Sequence, residues 1–334
     1  MTISTIPADR LPKLPAERHA LLREYFCDID AHAALTERGW DIKLAWPGGA
    51  DRHVDPRLAE GLSWWGGGVT LPTMVHAHRR RGKILSTLYD TWTLHSWSEW
   101  ALSAYLTRDE NLVVLHVDDH RDLGSPRLFG ATGEWFDAIT GNPCRVDNPD
   151  SIRKAIQSGS IGMGSFMTPF LHSFPGTEVR HLCQPPKADV TRDFSIELTS
   201  VRDTLIDPLR NRPAVSLGAE FAGKGHSRYR LTSNTDDWLD DLGNRRILLH
   251  IDMDYFNNRY DGDTDWEKQG GCLDPSFDQI LVKVDEVTSA LSQRVGPEKL
   301  VDIVVAYSPG FFPAEYWAPA TQRLMPGLER IHDR

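Results

Sequence analysis

The chain has 334 residues, 40% hydrophobic and 25% charged, an ordinary globular composition with room for one large or two ordinary domains. Its formal charge of −10, from 37 basic and 47 acidic residues, argues against a nucleic-acid partner, which needs a basic surface. No apolar stretch approaches the ~20 residues of a membrane span, and the opening MTISTIPADR lacks the basic start and apolar run of an export signal, so no membrane association is expected and the expected location is the cytoplasm.

Residues 1–80 read as an N-terminal elaboration packed on a main domain of residues 81–334. They are irregular and rich in Pro, Gly and Trp, with WPGG at 46–49 and WWGGG at 64–68, where glycines beside tryptophans are expected to allow close backbone packing. His76, His78 and Arg79 to Arg81 form a basic stretch that suits a solvated surface or an acidic leader peptide. Cys27, Cys144, Cys183 and Cys272 are far apart and form no CxxC pair, as expected of scattered thiols rather than disulfides or a zinc knuckle.

From residue 84 apolar strands alternate with amphipathic helices. ILSTLYD (84–90) is a strand, followed by a helix with Ser96 and Glu99 as its capping box and Trp97, Trp100, Ala101, Ala104 and Tyr105 on one side. LVVLHVD (112–118) is a buried strand, and Asp150 is expected to cap a helix carrying Ile152, Ala155 and Ile156 that stops at Gly159. The small residues of Gly159 to Ser165 suit a pocket lining but lack the pattern of a phosphate loop. RILLHIDMD (246–254) is a second buried strand, Asp274-Pro275 an expected helix start, and LVDIVVAY (300–307) a third strand. This order predicts an α/β protein, a three-layer α/β/α fold with a mainly parallel sheet, whose ligands gather beyond the carboxyl ends of the strands.

Two strands deliver ligand-type side chains to that end. Asp118, His120 and Asp122 follow the first at i, i+2, i+4, and Asp252 and Asp254 end the second. Buried together, these carboxylates would repel one another and carry a heavy desolvation cost, which a multivalent cation removes. Oxygen-rich ligation with an imidazole favours manganese(II), with iron, cobalt or zinc as alternatives, and two such ions sharing a water would activate it for hydrolysis. His116 and His250, each two residues before a motif aspartate, are expected to hydrogen-bond ligand carboxylates rather than bind metal. His172 and His226 are candidate acid/base groups. The loop Asp261-Gly262-Asp263-Thr264-Asp265 opens like a calcium loop, but Trp266 and Cys272 stand where such a loop needs Gly and Glu, so a substrate-facing acidic loop or a solvated turn is expected instead.

DxHxD at 118–122 and DxD at 252–254 resemble the metal motifs of the arginase/agmatinase/deacetylase superfamily. HVDDHRDL, HIDMDYF and SPGFFP resemble more closely the peptide arginases of ribosomal-peptide biosynthesis, over roughly residues 84–320. The resemblance implies an arginase/deacetylase-like fold and two Mn2+ ions. It also implies that His95 and Asp122 bind one metal, that His120 and Asp252 help bind the other, and that Asp118 and Asp254 bridge or complete the pair. The implied reaction converts arginine residues of a precursor peptide to ornithine with release of urea. The chain departs from arginases at Asn257, where they carry a third acid. It departs again at Ala306-Tyr307-Ser308-Pro309, where they carry a glutamate that contacts the guanidinium. That contact would pass to Glu315 or to Asp261, Asp263 and Asp265; the proton-relaying histidine has no match. Alternatives are a hydrolase of a small guanidino compound or acetylated amine on the same scaffold, or a metal-stabilised peptide-binding protein without turnover. The metal's identity and the oligomeric state, including a homo-oligomer, stay open.

Overall fold

The computed structural model describes residues 2–49, 53–103, 112–131, 133–220, 227–263, 265–268 and 270–332. In chain order the elements are β1 (Thr2–Ile6), α1 (Pro15–Phe26), β2 (Asp30–Thr36), β3 (Gly39–Ala45), α2 (Leu58–Trp65), β4 (His78–Arg81), β5 (Ile84–Thr87), α3 (Trp92–Ser103) and β6 (Leu112–Val117). Next come β7 (Leu128–Ala131), β8 (Glu134–Asp137), β9 (Pro143–Cys144), α4 (Pro149–Ser158), α5 (Met167–Ser173), β10 (Glu178–Leu182), β11 (Arg192–Arg202), β12 (Asn211–Glu220) and β13 (Arg228–Thr232). The last are α6 (Thr235–Trp238), β14 (Arg246–Asp252), α7 (Phe277–Arg294), β15 (Leu300–Ala306) and α8 (Trp317–His332).

A nine-stranded sheet in the order β12-β11-β13-β10-β6-β14-β15-β5-β4 forms the centre. From β13 to β5 every pairing is parallel, while β11, β12 and β4 extend the edges antiparallel. Strands β5, β6 and β10 are buried at every residue, which requires cover on both faces. Two helix groups supply it: α3 packs on α4, and α8 packs on both α7 and α2. The arrangement is compatible with the expected three-layer α/β/α fold. From β6 the chain steps outward to β10 and β13, then returns to lay β14 on the other side of β6. Strand order therefore reverses at the β6/β14 border, where a parallel sheet opens a crevice at its carboxyl end.

The N-terminal part is smaller than expected from sequence. β1, β3 and β2 form a separate antiparallel sheet, with α1 and a core of Ile6, Leu22, Phe26, Ile29, Trp40 and Ile42 into which Ile139 and Leu205 of the main body insert. In contrast, α2 packs on α8 and β4 joins the central sheet, so a boundary at residue 80 runs through the main body. Gly66, Gly67 and Gly68 all have positive φ, and a Cβ on Gly67 or Gly68 would meet nothing within 4 Å. These glycines serve a left-handed chain reversal after α2 rather than the close packing expected.

Helix starts also differ. α3 begins at Trp92, so Ser96 lies inside it and donates to Asp302 Oδ2 at 2.5 Å instead of capping. Ala104 and Tyr105 lie outside the described residues. Asn148, not Asp150, caps α4, accepting from Ser151 N, and Ser276 with Gln279 forms the box at the start of α7 in place of Asp274-Pro275. Gly159 closes α4 in the left-handed conformation, as expected. Among the described residues no helix is long and apolar enough to cross a membrane.

Candidate metal centre

Asp118 follows β6, Asp252 ends β14, and Asp254 stands in the short turn after it, so the two adjacent strands bring their acids together. Ligand atoms of His116, Asp118, Asp122 and His250 lie within 4.8 Å of one another, as do those of Asp118, His120 and Asp254. Such groups can hold a metal ion. The chain turns sharply to achieve this: Asp122 (φ 54°) and Ser308 (φ 42°) are non-glycine residues in left-handed backbone, each a costly conformation that the surrounding structure must impose. Backbone bonds fix the acids further. Asp118 Oδ1 accepts from His120 N (2.6 Å), Asp254 Oδ1 from Asp119 N (3.1 Å), and Asp252 Oδ1 from Asp254 N (3.1 Å), while the Ser308 hydroxyl donates to Asp252 Oδ2 (2.5 Å).

The acids sit on the wall of a cavity of about 350 Å³ reached by Asp90, His120, Asp122, Asp252 and Asp254. Three buried carboxylate oxygens, Asp90 Oδ1 and Asp122 Oδ2 of the cavity lining and Asp118 Oδ2, accept no hydrogen bond. Burial, and then mutual repulsion, push Asp90, Asp118 and Asp252 well above the usual carboxylate range. Burial raises Asp122 to about 6. Buried carboxylate oxygens without hydrogen bonds, those of Asp118 and Asp122 in one close group of ligand atoms, are what a divalent cation would satisfy, so the residues fit a metal.

Asp90, at the turn between β5 and α3, occupies the place expected of His95. Because α3 starts early, His95 lies within its first turn. Its ring meets Trp92 at 5.2 Å and His78 at 6.3 Å, and its Nδ1 is 3.9 Å from Glu99. Asp90 carries the same signal as Asp118 and Asp252, an acid at the carboxyl end of an apolar strand; it closes the ILSTLYD run.

Beneath the acids lies a row of histidines. Pairing sets His181 of β10, His116 of β6 and His250 of β14 in register on three adjacent strands. His116 Nε2 faces the carbonyl of His120 (3.0 Å) and therefore donates, which makes its Nδ1 the acceptor for His250 Nδ1–H (3.0 Å). His181 Nε2 likewise donates to the Asp118 carbonyl (2.9 Å) and its Nδ1 accepts from Tyr229 (2.8 Å). Burial holds all three well below the ordinary histidine range, and hence neutral. His116 thus bonds His250 and a backbone carbonyl, and neither ring hydrogen-bonds a ligand carboxylate as expected; their nearest approaches to Asp118 are 3.7 and 3.8 Å. His181 lies on a strand absent from the sequence expectations.

His120 is partly exposed, with Nδ1 2.8 Å from Asp254 and Nε2 3.0 Å from Asp261. Burial opposes its charge, but the two carboxylates and Asp118 outweigh it and raise its pKa. Asp261 Oδ1, which also accepts from Asn258 Nδ2 at 3.0 Å, therefore orients His120. Asp263 accepts from Asp265 N within its own turn, and Thr264 lies outside the described residues. Glu315 Oε1 accepts from Arg259 Nη1 at 2.6 Å, and Glu315 does not line the cavity that the acids share. His172 is buried against Trp135 and bonds the Ala214 carbonyl (2.9 Å), a packing role away from the cavity; His226 lies outside the described residues. No family model matches the chain, and no curated protein is significantly similar to it.

Proposed function

We propose that the chain is a metal-dependent hydrolase of C–N bonds other than peptide bonds, an arginase-like ureohydrolase acting on arginine side chains of a ribosomally made precursor peptide. Its products are ornithine residues and urea. The observation that carries this reading is the trio of buried, unbonded carboxylate oxygens of Asp90, Asp118 and Asp122, two of whose residues, Asp90 and Asp122, line a cavity at the strand-order reversal. With His120, Asp252 and Asp254 they make an oxygen-rich set suited to two Mn2+ ions, with iron, cobalt or zinc as alternatives. When bound, such ions would lower the pKa of a water and supply the nucleophile near neutral pH.

The chain's own residues do the rest. Ser308 holds Asp252, Asp261 and Asp254 aim the His120 ring, and the histidine row keeps neutral hydrogen-bonding groups under Asp118. A cationic guanidinium entering this acid-lined cavity gains charge complementarity that a neutral side chain lacks. In the reaction the oxygen of water bonds to the guanidinium carbon. The bond from that carbon to the side-chain nitrogen breaks, and a proton passes to that nitrogen. An amine and urea remain.

The reading is tested by incubating the manganese-loaded protein with an arginine-containing peptide and assaying urea and ornithine. Wild-type protein should release urea, while Asp122→Ala and Asp252→Ala should each reduce the signal to background. Full activity in either variant would sink the metal assignment. Release of an amine without urea would favour the acetylated-amine alternative.

A further inference from the structure

At the end opposite β12, the central sheet closes on β4, a four-residue strand exposed at every position. Its sequence is His-Arg-Arg-Arg, a concentration of positive charge on a chain of net charge −10. Leu88 N donates to the Ala77 carbonyl at 3.0 Å, and Arg79 and Arg81 stand opposite Ser86 and Ile84 of β5. Bonded residues alternate along an antiparallel pair. Ala77, Arg79 and Arg81 therefore turn their backbone groups toward β5, and His78 and Arg80 turn theirs outward. Among the described residues no strand pairs with that outward edge.

The two faces of β4 differ. On the α3 face His78 stacks on Trp92 at 3.8 Å, and Arg80 donates to Ser96 Oγ and, at 2.9 Å, to Asp302 Oδ1. On the other face a groove of about 520 Å³ lies between β4 and α8, its lining including Trp64, Arg79, Arg81, Ser86, Gln322 and Glu329. Glu329 Oε1 meets Arg81 there at 2.9 Å. Arg79 is held differently. Its guanidinium lies over the rings of Trp65 (4.3 Å) and Trp64 (5.4 Å), and its Nη1 donates to the Trp65 carbonyl at 3.3 Å. Among the described residues no carboxylate pairs with it, so of the three arginines Arg79 alone brings an unneutralised charge to the groove.

We infer that β4 is the docking edge for an extended acidic peptide, which adds to the sheet as a further strand and lays a carboxylate side chain on Arg79 in the groove. The added strand would bond the outward main-chain groups of His78 and Arg80, and its side chains would alternate between the two faces. Those on the α8 side reach Arg79, where a carboxylate gains a charge-assisted bond. The tryptophans already restrain this guanidinium, so little side-chain freedom is lost on binding. Arginine can also simply blunt an exposed edge, but that role leaves the guanidinium in solvent, whereas that of Arg79 lies over two rings in the groove wall. The acidic balance of the rest of the chain repels an acidic partner and steers it to this edge. None of these residues belongs to the metal centre, so docking here is independent of the reaction at Asp118 and Asp252.

Binding is measured on the whole chain by fluorescence anisotropy, with two dye-labelled, capped heptapeptides. One is Thr-Glu-Val-Glu-Val-Glu-Thr, and the other has glutamine in place of each glutamate. Wild-type protein should favour the acidic peptide by roughly 10- to 100-fold, the range of a charged hydrogen bond. Arg79→Gln should erase that preference while the circular dichroism spectrum stays that of the wild type. Equal binding of the two peptides by wild-type protein, or a preference that survives Arg79→Gln, would overturn the assignment. Strand addition has a separate readout. One alternate set of the peptide's amides faces β4, so N-methylation of that set should abolish binding while N-methylation of the other set is tolerated. Equal tolerance of both sets would overturn the added strand.

Discussion

A side chain such as Asp118, with one oxygen held by a backbone amide and the other unbonded and fully buried, is costly unless something positive sits beside it. The same cost appears in acidity. Asp90, Asp118 and Asp252 are driven upward by burial first and then by neighbouring acids, and burial brings Asp122 to about 6. The folded pKa lies above the unfolded value of 3.8, so the metal-free native state binds more protons than the unfolded chain, and its stability falls as pH rises from about 4 through 6 and beyond. Metal competes with those protons. The rise in melting temperature on adding manganese should therefore grow from pH 5 to pH 7.5; a rise independent of pH in a thermal-shift series would contradict this. The histidine row makes a second prediction. His181→Phe keeps the ring volume but removes the donor to the Asp118 carbonyl, and should weaken manganese binding by roughly 10- to 100-fold in a calorimetric titration.

Strands and their acids were more legible in the sequence than helix ends. β5, β6, β14 and β15 lie within the apolar runs that predict them, because a strand buried on both faces is mostly apolar, with only a few hydrogen-bonded polar side chains, until it reaches its carboxyl end. Asp90 was readable by that rule, but the histidine resemblance pointed one turn further on. The pairing of β10 with β6, which creates the histidine row, depends on contacts distant in sequence and was not readable. Helix starts failed where several polar residues competed. Asn148 and Asp150 both suit a cap, and only the backbone decides: the Asn148 side chain reaches Ser151 N, whereas Asp150 is exposed and pairs with Arg153 and Lys154. Asn148→Ala should accordingly cost about 1 kcal/mol in denaturant unfolding, and Asp150→Ala should move the unfolding midpoint clearly less. The reverse order would restore the sequence expectation.

The molecule as a whole joins two hydrophobic cores. Tyr25 of α1 donates to Asp203 Oδ2 at 2.5 Å in a buried bond, and its backbone carbonyl accepts from Arg127 Nε at 2.6 Å. These bonds attach the N-terminal unit to the main body. Tyr25→Phe leaves a buried carboxylate oxygen short of its donor and should cost about 1–3 kcal/mol, read as a melting temperature lowered by several degrees. An unchanged melting temperature would mean that this contact does not hold the two cores together. The acid-lined cavity and the reversal of strand order converge on one place, and the account depends most on a cation being there. The direct measurement is anomalous diffraction at the manganese absorption edge from crystals grown with manganese. The account predicts strong peaks among Asp90, Asp118, Asp122, His120, Asp252 and Asp254, lost in Asp122→Ala. A well-ordered map with those side chains in place and no anomalous peak among them would contradict it.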